Sequence, residues 1–148
     1  MTWIYLKENN ARQLELHLSK SPVTVELYPC NNTVWKGYAS GVFKNETACE
    51  NTHISTTAVV VGYGSRTNDD NETEEYWEIL NSFGDDWGYK GRMMLARNVE
   101  WSRWGGQNGI LTNPAYTVPS VRITENGDYT SAGRGEWYDR ELGCKSSC

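Results

Sequence analysis

Alternating apolar and polar residues predict several β-strands along the chain. The clearest case is VTVELY at 23–28, in which every second residue is apolar. Because successive side chains of a strand point to opposite faces, these apolar residues are expected to share one buried face. Similar alternation or short apolar runs bounded by turn residues predict further strands within 38–43, 57–63, 76–81 and 92–96. The strand at 57–63 is expected to end sharply at a Gly-Tyr-Gly turn.

One amphipathic helix is predicted over 9–20. Asn10 is expected to cap it, with Gln13 closing a capping box, and Pro22 follows its end. Its apolar stripe consists of Ala11, Leu14 and Leu18. A single helix followed by several strands with irregular connections predicts an α+β domain. Its body is expected to be a twisted antiparallel β-barrel or sheet.

Two further segments break the strand pattern. Residues 65–75 are polar and acidic and are predicted to form a loop. After Pro119, two short β segments flank Asn126-Gly127, which is typical of a hairpin turn. The sequence therefore predicts a domain at 1–119 and a C-terminal extension at 120–148.

Composition excludes some classes of partner. The 148 residues include 14 Lys plus Arg and 19 Asp plus Glu, giving a net charge of −5, and the basic residues are scattered. This disfavours binding to nucleic acid or to an anionic membrane surface, and no apolar run is long enough for a membrane helix. Seven Trp and nine Tyr indicate a folded chain with large contact surfaces.

Cysteines and glycosylation motifs indicate passage through a secretory compartment. Sequons begin at Asn31, Asn45 and Asn71, all in polar surroundings typical of exposed loops. The four cysteines are Cys30, Cys49, Cys144 and Cys148. Residues 1–5 do not look like a signal peptide. We therefore expect a processed or incomplete chain, located extracellularly or in a lysosome-like compartment.

The order of segments resembles the C-terminal half of papain-like, cathepsin L-like cysteine proteases. The resemblance covers about residues 2–118 and is carried by SPVTVELY, YASGVF, AVVVGYG, and YWEILNSFGDDWGYKG, followed by NGI and AYTV. It implies the right-hand, β-barrel half of that fold. In the family this half packs against a mostly helical half, and the active site lies in the cleft between them.

The family's chemistry needs a thiolate, an imidazole base and an Asn that orients the imidazole. The nucleophile belongs to the helical half, and none of the four cysteines here has its sequence context. The family's histidine stands six positions before the first Gly of Gly-Tyr-Gly, and Thr56 occupies that position. A threonine cannot act as a general base near neutral pH. His53 is displaced by three residues, roughly 10 Å along an extended chain, and is interpreted as a loop residue.

Other family positions are kept. Asn81 matches the orienting Asn, Trp87 matches the second Trp of its segment, and Phe83 replaces the first. Cys49 matches a disulfide cysteine whose usual partner position holds Asn108, so Cys30 is the natural replacement partner. Cys144 and Cys148 could close a small ring or bond to another chain. Cys49 and His53 have the spacing of a zinc ligand pair, but no second pair is visible, so we expect neither a metal nor a cofactor.

Three functions remain open at this stage. The first is a catalytically degenerate papain-like domain that serves as a structural or interaction subunit, secreted, glycosylated and assembled with itself or with a helical papain-like half. The second is one chain of a two-chain protease that uses His53 and a partner's cysteine. The third is a carbohydrate-binding module. An apolar face left by the absent half favours the first, and the interface candidates are Trp87, Trp101, Trp104 and Trp137.

Overall fold

The computed structural model describes residues 2–29, 32–44, 55–98 and 105–118, and the backbone of 121–123 and 129–131. Within these residues the chain forms strands, two helices and a 3₁₀ turn at Gln107–Gly109. The elements are β1 (Thr2–Tyr5), α1 (Ala11–Leu18), β2 (Val23–Leu27), α2 (Asn32–Lys36), β3 (Val42–Phe43), β4 (Thr56–Thr67), β5 (Thr73–Leu80), β6 (Arg92–Ala96), β7 (Ala115–Val118), β8 (Val121–Ile123) and β9 (Tyr129–Ser131).

Seven strands form one mixed sheet in the order β1-β7-β2-β4-β5-β6-β3. The pairs from β7 through β6 are antiparallel, whereas β3 runs parallel to β6. The α+β class is therefore confirmed, but the sheet is open and not a closed antiparallel barrel. A barrel would need its two edge strands to pair. Here those edges are β1 and β3, and β3 is only two residues long.

Helix α1 forms where its cap and apolar stripe predict. The Asn10 side chain accepts a hydrogen bond from the backbone N–H of Gln13 at 2.9 Å. The reciprocal half of the predicted capping box is absent, because Gln13 Oε1 accepts from the N–H of Lys7 instead, at 2.6 Å. Leu14 is fully buried, and Ala11 and Leu18 pack against the core.

The core lies on the face of the sheet that the alternation predicts. Val23, Val25 and Leu27 of β2 are buried, as are Trp77 and Ile79 of β5. The register pairs Val23 with Val60 and Val60 with Ile79, so the buried side chains of three adjacent strands meet on one face. Each fully buried aliphatic side chain in such a layer stabilises the fold by about 1.5–3 kcal/mol.

The Gly-Tyr-Gly segment is not a turn. Strand β4 continues through Gly64 to Thr67, with a register shift between Val60 and Gly62. Gly64 lies opposite Tyr76, and a Cβ atom at Gly64 would come within 2.9 Å of the Tyr76 hydroxyl. The glycine therefore makes room for a cross-strand ring, which has no local signature in the sequence.

The predicted loop at 65–75 is mostly strand. Residues 65–67 pair with 73–75, so only 68–72 form the turn of the β4–β5 hairpin. Asn68 organises this turn, because its Oδ1 accepts from the N–H groups of Asp70 and Glu72 at 3.1 and 2.8 Å. Polar composition indicated a loop, but cross-strand hydrogen bonds impose the extended form. Helix α2, with Thr33 in it, was also not predicted, since that segment was expected to be loop.

The chain divides into two compact units, one at 4–116 and one comprising 1–3 and 117–148. In the second unit β8 pairs with β9 in antiparallel register, Val121 opposite Ser131 and Ile123 opposite Tyr129. This pairing agrees with the predicted hairpin, and the Asn126-Gly127 turn itself lies outside the described residues. No helix in the described part of the chain is long and apolar enough to cross a membrane.

Candidate functional site

Thr56 begins strand β4 and lies opposite Leu27 of β2. The next residues of the same strand parity, Ala58 and Val60, are buried, and Thr56 itself is half-buried. Alternation therefore turns the Thr56 side chain to the core face of the sheet, at the end where β4 begins. A hydroxyl therefore stands at the start of β4, at the position that the family resemblance assigns to the base.

Asn81 follows the last residue of β5 and extends the buried face of Trp77 and Ile79. It is 7% exposed, and its backbone N–H donates to the carbonyl oxygen of Gly91 at 2.9 Å. Its side-chain Oδ1 accepts from the backbone N–H of Ser82 at 2.8 Å. The Nδ2 group has no hydrogen-bond acceptor among the described residues. The amide oxygen therefore takes part in the local turn through this hydrogen bond.

The sheet register brings Thr56 and Asn81 to the same end of the β4–β5 hairpin. The last pair of the β4–β5 ladder joins Val59 to Leu80. Asn81 follows Leu80 and Thr56 precedes Val59, so the two family positions lie at the same end of the β4–β5 hairpin.

The Trp87 side chain is buried within the domain. Its indole N–H donates to the backbone carbonyl oxygen of Trp35 at 3.0 Å, and its ring lies 5.5 Å from those of Tyr38 and Phe83. It is 7% exposed, so little of its surface is available to a partner. This burial favours the interpretation of Trp87 as a core or cleft-wall residue and does not favour its assignment as an interface residue.

Tyr38 ties this aromatic cluster to the sheet. Its hydroxyl donates to the Gly41 carbonyl oxygen at 2.7 Å and accepts from the Met94 N–H at 3.2 Å. Burial raises the pKa of the Tyr38 hydroxyl above its usual 10.0. The hydroxyl therefore stays protonated and keeps both hydrogen bonds. Gly88 has a φ of +59°, and a Cβ atom placed there would collide with the Arg92 carbonyl oxygen and crowd the Tyr38 ring, so the position requires glycine.

Three large apolar side chains remain exposed around the loop that follows Asn81. Leu80 is 39%, Phe83 42% and Tyr89 70% exposed in this structure. We call these three residues the loop surface. Sequence reasoning did not select them as interface candidates, although the alternation of β5 already places Leu80 on the face opposite Trp77 and Ile79.

Asn108 lies where the resemblance implies a disulfide cysteine. It is buried in the 3₁₀ turn with a φ of 53°. Its Nδ2 donates to the Tyr28 carbonyl oxygen at 2.8 Å, and its Oδ1 accepts from Gln107 Nε2 at 2.7 Å. The Tyr28 N–H in turn donates to the Asn108 carbonyl oxygen at 2.9 Å. Hydrogen bonds therefore join this turn to the end of β2.

Several residues singled out from the sequence lie outside the described residues. They are His53, the cysteines 30, 49, 144 and 148, the sequon residues Asn31 and Asn45, and the tryptophans 101, 104 and 137. Asn71 is described, and it lies exposed in the turn between β4 and β5. The proposed disulfides and the role of His53 therefore stay predictions.

Comparison with known proteins identifies the architecture. The sequence model described as "Papain family cysteine protease" matches residues 2–118. Ananain from Ananas comosus is 31% identical over 125 residues, which cover 82% of this chain and 33% of ananain. Testin-2 from Rattus norvegicus is 33% identical over 81 residues, covering 55% of this chain and 22% of testin-2.

Comparison with solved structures supports the same family. Bromelain from Ananas comosus, in complex with the E64 inhibitor, superposes with a TM-score of 0.60 at 29% identity. The match covers 77% of this chain and 48% of the bromelain chain. The chain spans a third or less of the curated relatives named above and matches the right-hand, β-rich half of the fold. It belongs to the papain family of cysteine proteases.

Proposed function

We propose that this chain is a papain-like right-hand domain that serves in a protein assembly and does not cleave peptides by the family's own mechanism. The observation that carries the proposal is the hydroxyl of Thr56 at the start of β4, at the sequence position where the family resemblance expects the imidazole. The family mechanism requires a group that takes the thiol proton near neutral pH and later returns it to the leaving amine. A threonine hydroxyl does neither.

The state of Asn81 supports this proposal. In the family mechanism the orienting group accepts a hydrogen bond from the imidazole N–H. Here the hydrogen bond that Asn81 Oδ1 accepts among the described residues comes from the N–H of Ser82, the next residue along the chain. Asn81 acts within its own turn, as expected for a framework residue whose catalytic partner is missing.

The loop surface supports a role in assembly. Leu80, Phe83 and Tyr89 lie beside or within the segment that follows Asn81, and aromatic side chains dominate the energetics of protein interfaces. The matched part of bromelain is 48% of that chain, so the solved relative carries a further half that this sequence does not match. We propose that a protein partner, either a helical papain-like half or a second copy of this chain, covers the loop surface.

Secretion is part of the proposal. The sequons and the four cysteines support a glycosylated, disulfide-containing protein of an oxidising compartment. We propose Cys30–Cys49 as an internal bridge and the terminal pair Cys144 and Cys148 as a small ring or an intermolecular link.

Labelling with a thiol-directed activity probe tests the catalytic part of the proposal. The chain is co-expressed with the helical half of a papain-family protease that supplies the cysteine, and an intact family protease is the positive control. We expect no labelling of the wild-type complex above that of a complex whose cysteine is replaced by alanine. Thr56→His is the matched variant, and any labelling that it gains would locate the defect at position 56.

Labelling of the wild-type complex that disappears in His53→Ala would overturn the proposal. That result would establish instead a two-chain protease whose base is the displaced histidine.

Native mass measured by analytical ultracentrifugation, reduced and non-reduced, tests the assembly. We expect a complex, weakened at least tenfold in Kd by Leu80→Gln or Tyr89→Gln. Leu16→Gln on α1 is the control, because Leu16 is 54% exposed and lies outside the loop surface. A chain that stays monomeric at high concentration, with no partner in material from its natural source, would contradict the proposal.

A further inference from the structure

The turn between β4 and β5 carries a sequon whose geometry the structure describes. The motif is Asn71-Glu72-Thr73, with an asparagine, a middle residue other than proline, and a threonine. Residues 69–73 are all exposed. The ladder ends with the pair Thr67 and Thr73, so the sequon spans the end of the turn and the first residue of β5.

The two asparagines of this turn have different roles. Asn68 holds the turn together, because its Oδ1 accepts from two backbone N–H groups and its Nδ2 lies 3.5 Å from a Glu72 carboxylate oxygen. The Asn71 side chain makes no hydrogen bond with the described residues. Its contribution to the turn is through the backbone, with an N–H that donates to the Asn68 carbonyl oxygen at 3.1 Å and a φ of 65°. Asn tolerates this left-handed conformation better than most residues.

We propose that Asn71 is an N-glycosylation site. Its Nδ2 attacks C1 of an oligosaccharide carried on a polyprenyl diphosphate. The new bond joins nitrogen to C1, the C1–oxygen bond breaks, the amide proton is lost and the polyprenyl diphosphate leaves. The product fits the fold, because an exposed side chain with no internal partner can carry a bulky glycan without disturbing the core.

A glycan at this turn has a consequence for assembly. It surrounds the exposed turn with a large hydrated group, so residues 69–73 cannot lie at the centre of a tight protein interface. The loop surface begins at Leu80, at the opposite end of β5 from Thr73, and is left free for a partner. This inference rests on the secretory passage included in the proposed function and is independent of the loss of catalysis. A catalytically active chain glycosylated at Asn71 would refute only the proposed function.

The test is translation of the full chain, residues 1–148, behind a cleavable secretory leader in the presence of microsomes. Asn31→Gln and Asn45→Gln are introduced so that Asn71 begins the remaining sequon. We expect the protease-protected chain to carry one glycan, seen as a mobility shift that peptide-N-glycosidase removes, with Asn71 converted to Asp in the peptide map.

Two substitutions should abolish the shift, and two matched controls should keep it. Asn71→Gln and Thr73→Ala remove the acceptor and the hydroxyl of the motif. Thr73→Ser preserves the hydroxyl, and Asn68→Gln alters the neighbouring asparagine outside the motif. A protected chain without glycan at Asn71 overturns the inference. Failure of the leader-bearing chain to enter the microsomes also overturns it, because such a chain never meets the transferase.

Discussion

Trp87 donates its indole N–H to the backbone carbonyl oxygen of Trp35 across 52 positions of sequence, at 3.0 Å and in a buried environment. This bond joins helix α2 to the loop that follows Asn81. The ring centroids of the two residues lie 6.2 Å apart, so the same pair also contributes aromatic packing. The loop that contains Phe83 and Tyr89 is therefore attached to helix α2 through the side chain of Trp87.

Trp87→Phe is expected to lower the free energy of unfolding by about 1–3 kcal/mol, since it removes the buried hydrogen bond and leaves a small void. The measurement is urea unfolding followed by circular dichroism, which does not depend on tryptophan emission. Tyr89→Phe in the same loop is the control and should change stability by less than about 0.5 kcal/mol, because Tyr89 is 70% exposed. Equal effects of the two substitutions would show that the Trp87 bond is not important for stability.

Arg97 is the most enclosed cation among the described ion pairs, with 9% of its side chain exposed. It pairs with Glu15 of α1 and with Glu75 of β5, and its guanidinium lies 4.9 Å from the Tyr63 ring and 5.2 Å from the Trp77 ring. We expect Arg97→Met to destabilise the domain by about 2–3 kcal/mol. This is below the ~3–5 kcal/mol typical of a fully buried pair, because Glu75 is partly exposed.

Arg92→Met is the matched control for Arg97→Met. Arg92 pairs with Glu78 at 2.7 Å, but both side chains are more than a third exposed. Exposed pairs contribute about 0–1 kcal/mol, so this variant should unfold close to the wild type in the same urea titration. A loss at Arg92 as large as that at Arg97 would contradict the assignment of burial as the cause.

Lowering the pH should reduce the free energy of unfolding, because two carboxylates that stabilise the fold in their ionised form become protonated. A hydrogen bond from Lys44 lowers the pKa of Glu74 below 4.5, and a hydrogen bond from Asn113 does the same for the pKa of Glu26. Because each carboxylate has a lower pKa in the folded state, the unfolded chain becomes protonated at a higher pH than the folded chain as the pH falls. The stabilisation is therefore complete above the unfolded pKa and is lost as pH falls through the folded one, from about pH 5 downward.

The measurement is the urea midpoint as a function of pH. Glu74→Gln should flatten the acid side of the profile, and the double variant Lys44→Met, Glu74→Gln should flatten it no further. Asn113→Ala should reduce the pH dependence of stability that arises from Glu26, because it removes the main hydrogen-bond donor to that carboxylate. An unchanged acid profile in Glu74→Gln would show that Glu74 does not contribute to it.

Two substitutions of Asn108 separate the contribution of its side-chain hydrogen bonds to stability from that of its left-handed backbone conformation. Asn108→Gly keeps the left-handed φ without strain but loses the two side-chain hydrogen bonds, whereas Asn108→Ala loses the bonds and also strains the backbone. Alanine should therefore cost about 1 kcal/mol more than glycine, measured by thermal or urea unfolding. Equal costs would mean that the turn relaxes out of the left-handed conformation when the side chain is removed.

Elements with a regular local pattern were predictable. The alternation of β2 and β5, the strand at Arg92–Ala96, and the cap and stripe of α1 all depend on residues close in sequence. The papain resemblance also followed from local motifs, and the family match over residues 2–118 confirms it. These signals are strong because burial of one face requires a fixed period of apolar residues.

Elements that depend on distant partners were not predictable. The extension of β4 through Gly64 requires the ladder with β5, and the role of that glycine is set by Tyr76 on the other strand. Helix α2 has no apolar periodicity of its own and forms around Trp35, which is buried against Phe43 and Trp87. The parallel pairing of β3 with β6, which helps make the sheet mixed, has no local signature either.

For the candidate site, the amino-acid sequence alone determined the chemistry, because the presence of a hydroxyl at position 56 and an amide at position 81 depends on residue identity. The tertiary structure decided the arrangement. It placed these two residues at the same end of the β4–β5 hairpin, gave the Asn81 oxygen a hydrogen bond from Ser82, buried Trp87 and left Leu80, Phe83 and Tyr89 exposed. Proton affinity is a property of a side chain, whereas proximity and exposure arise only when strands distant in sequence pair and pack.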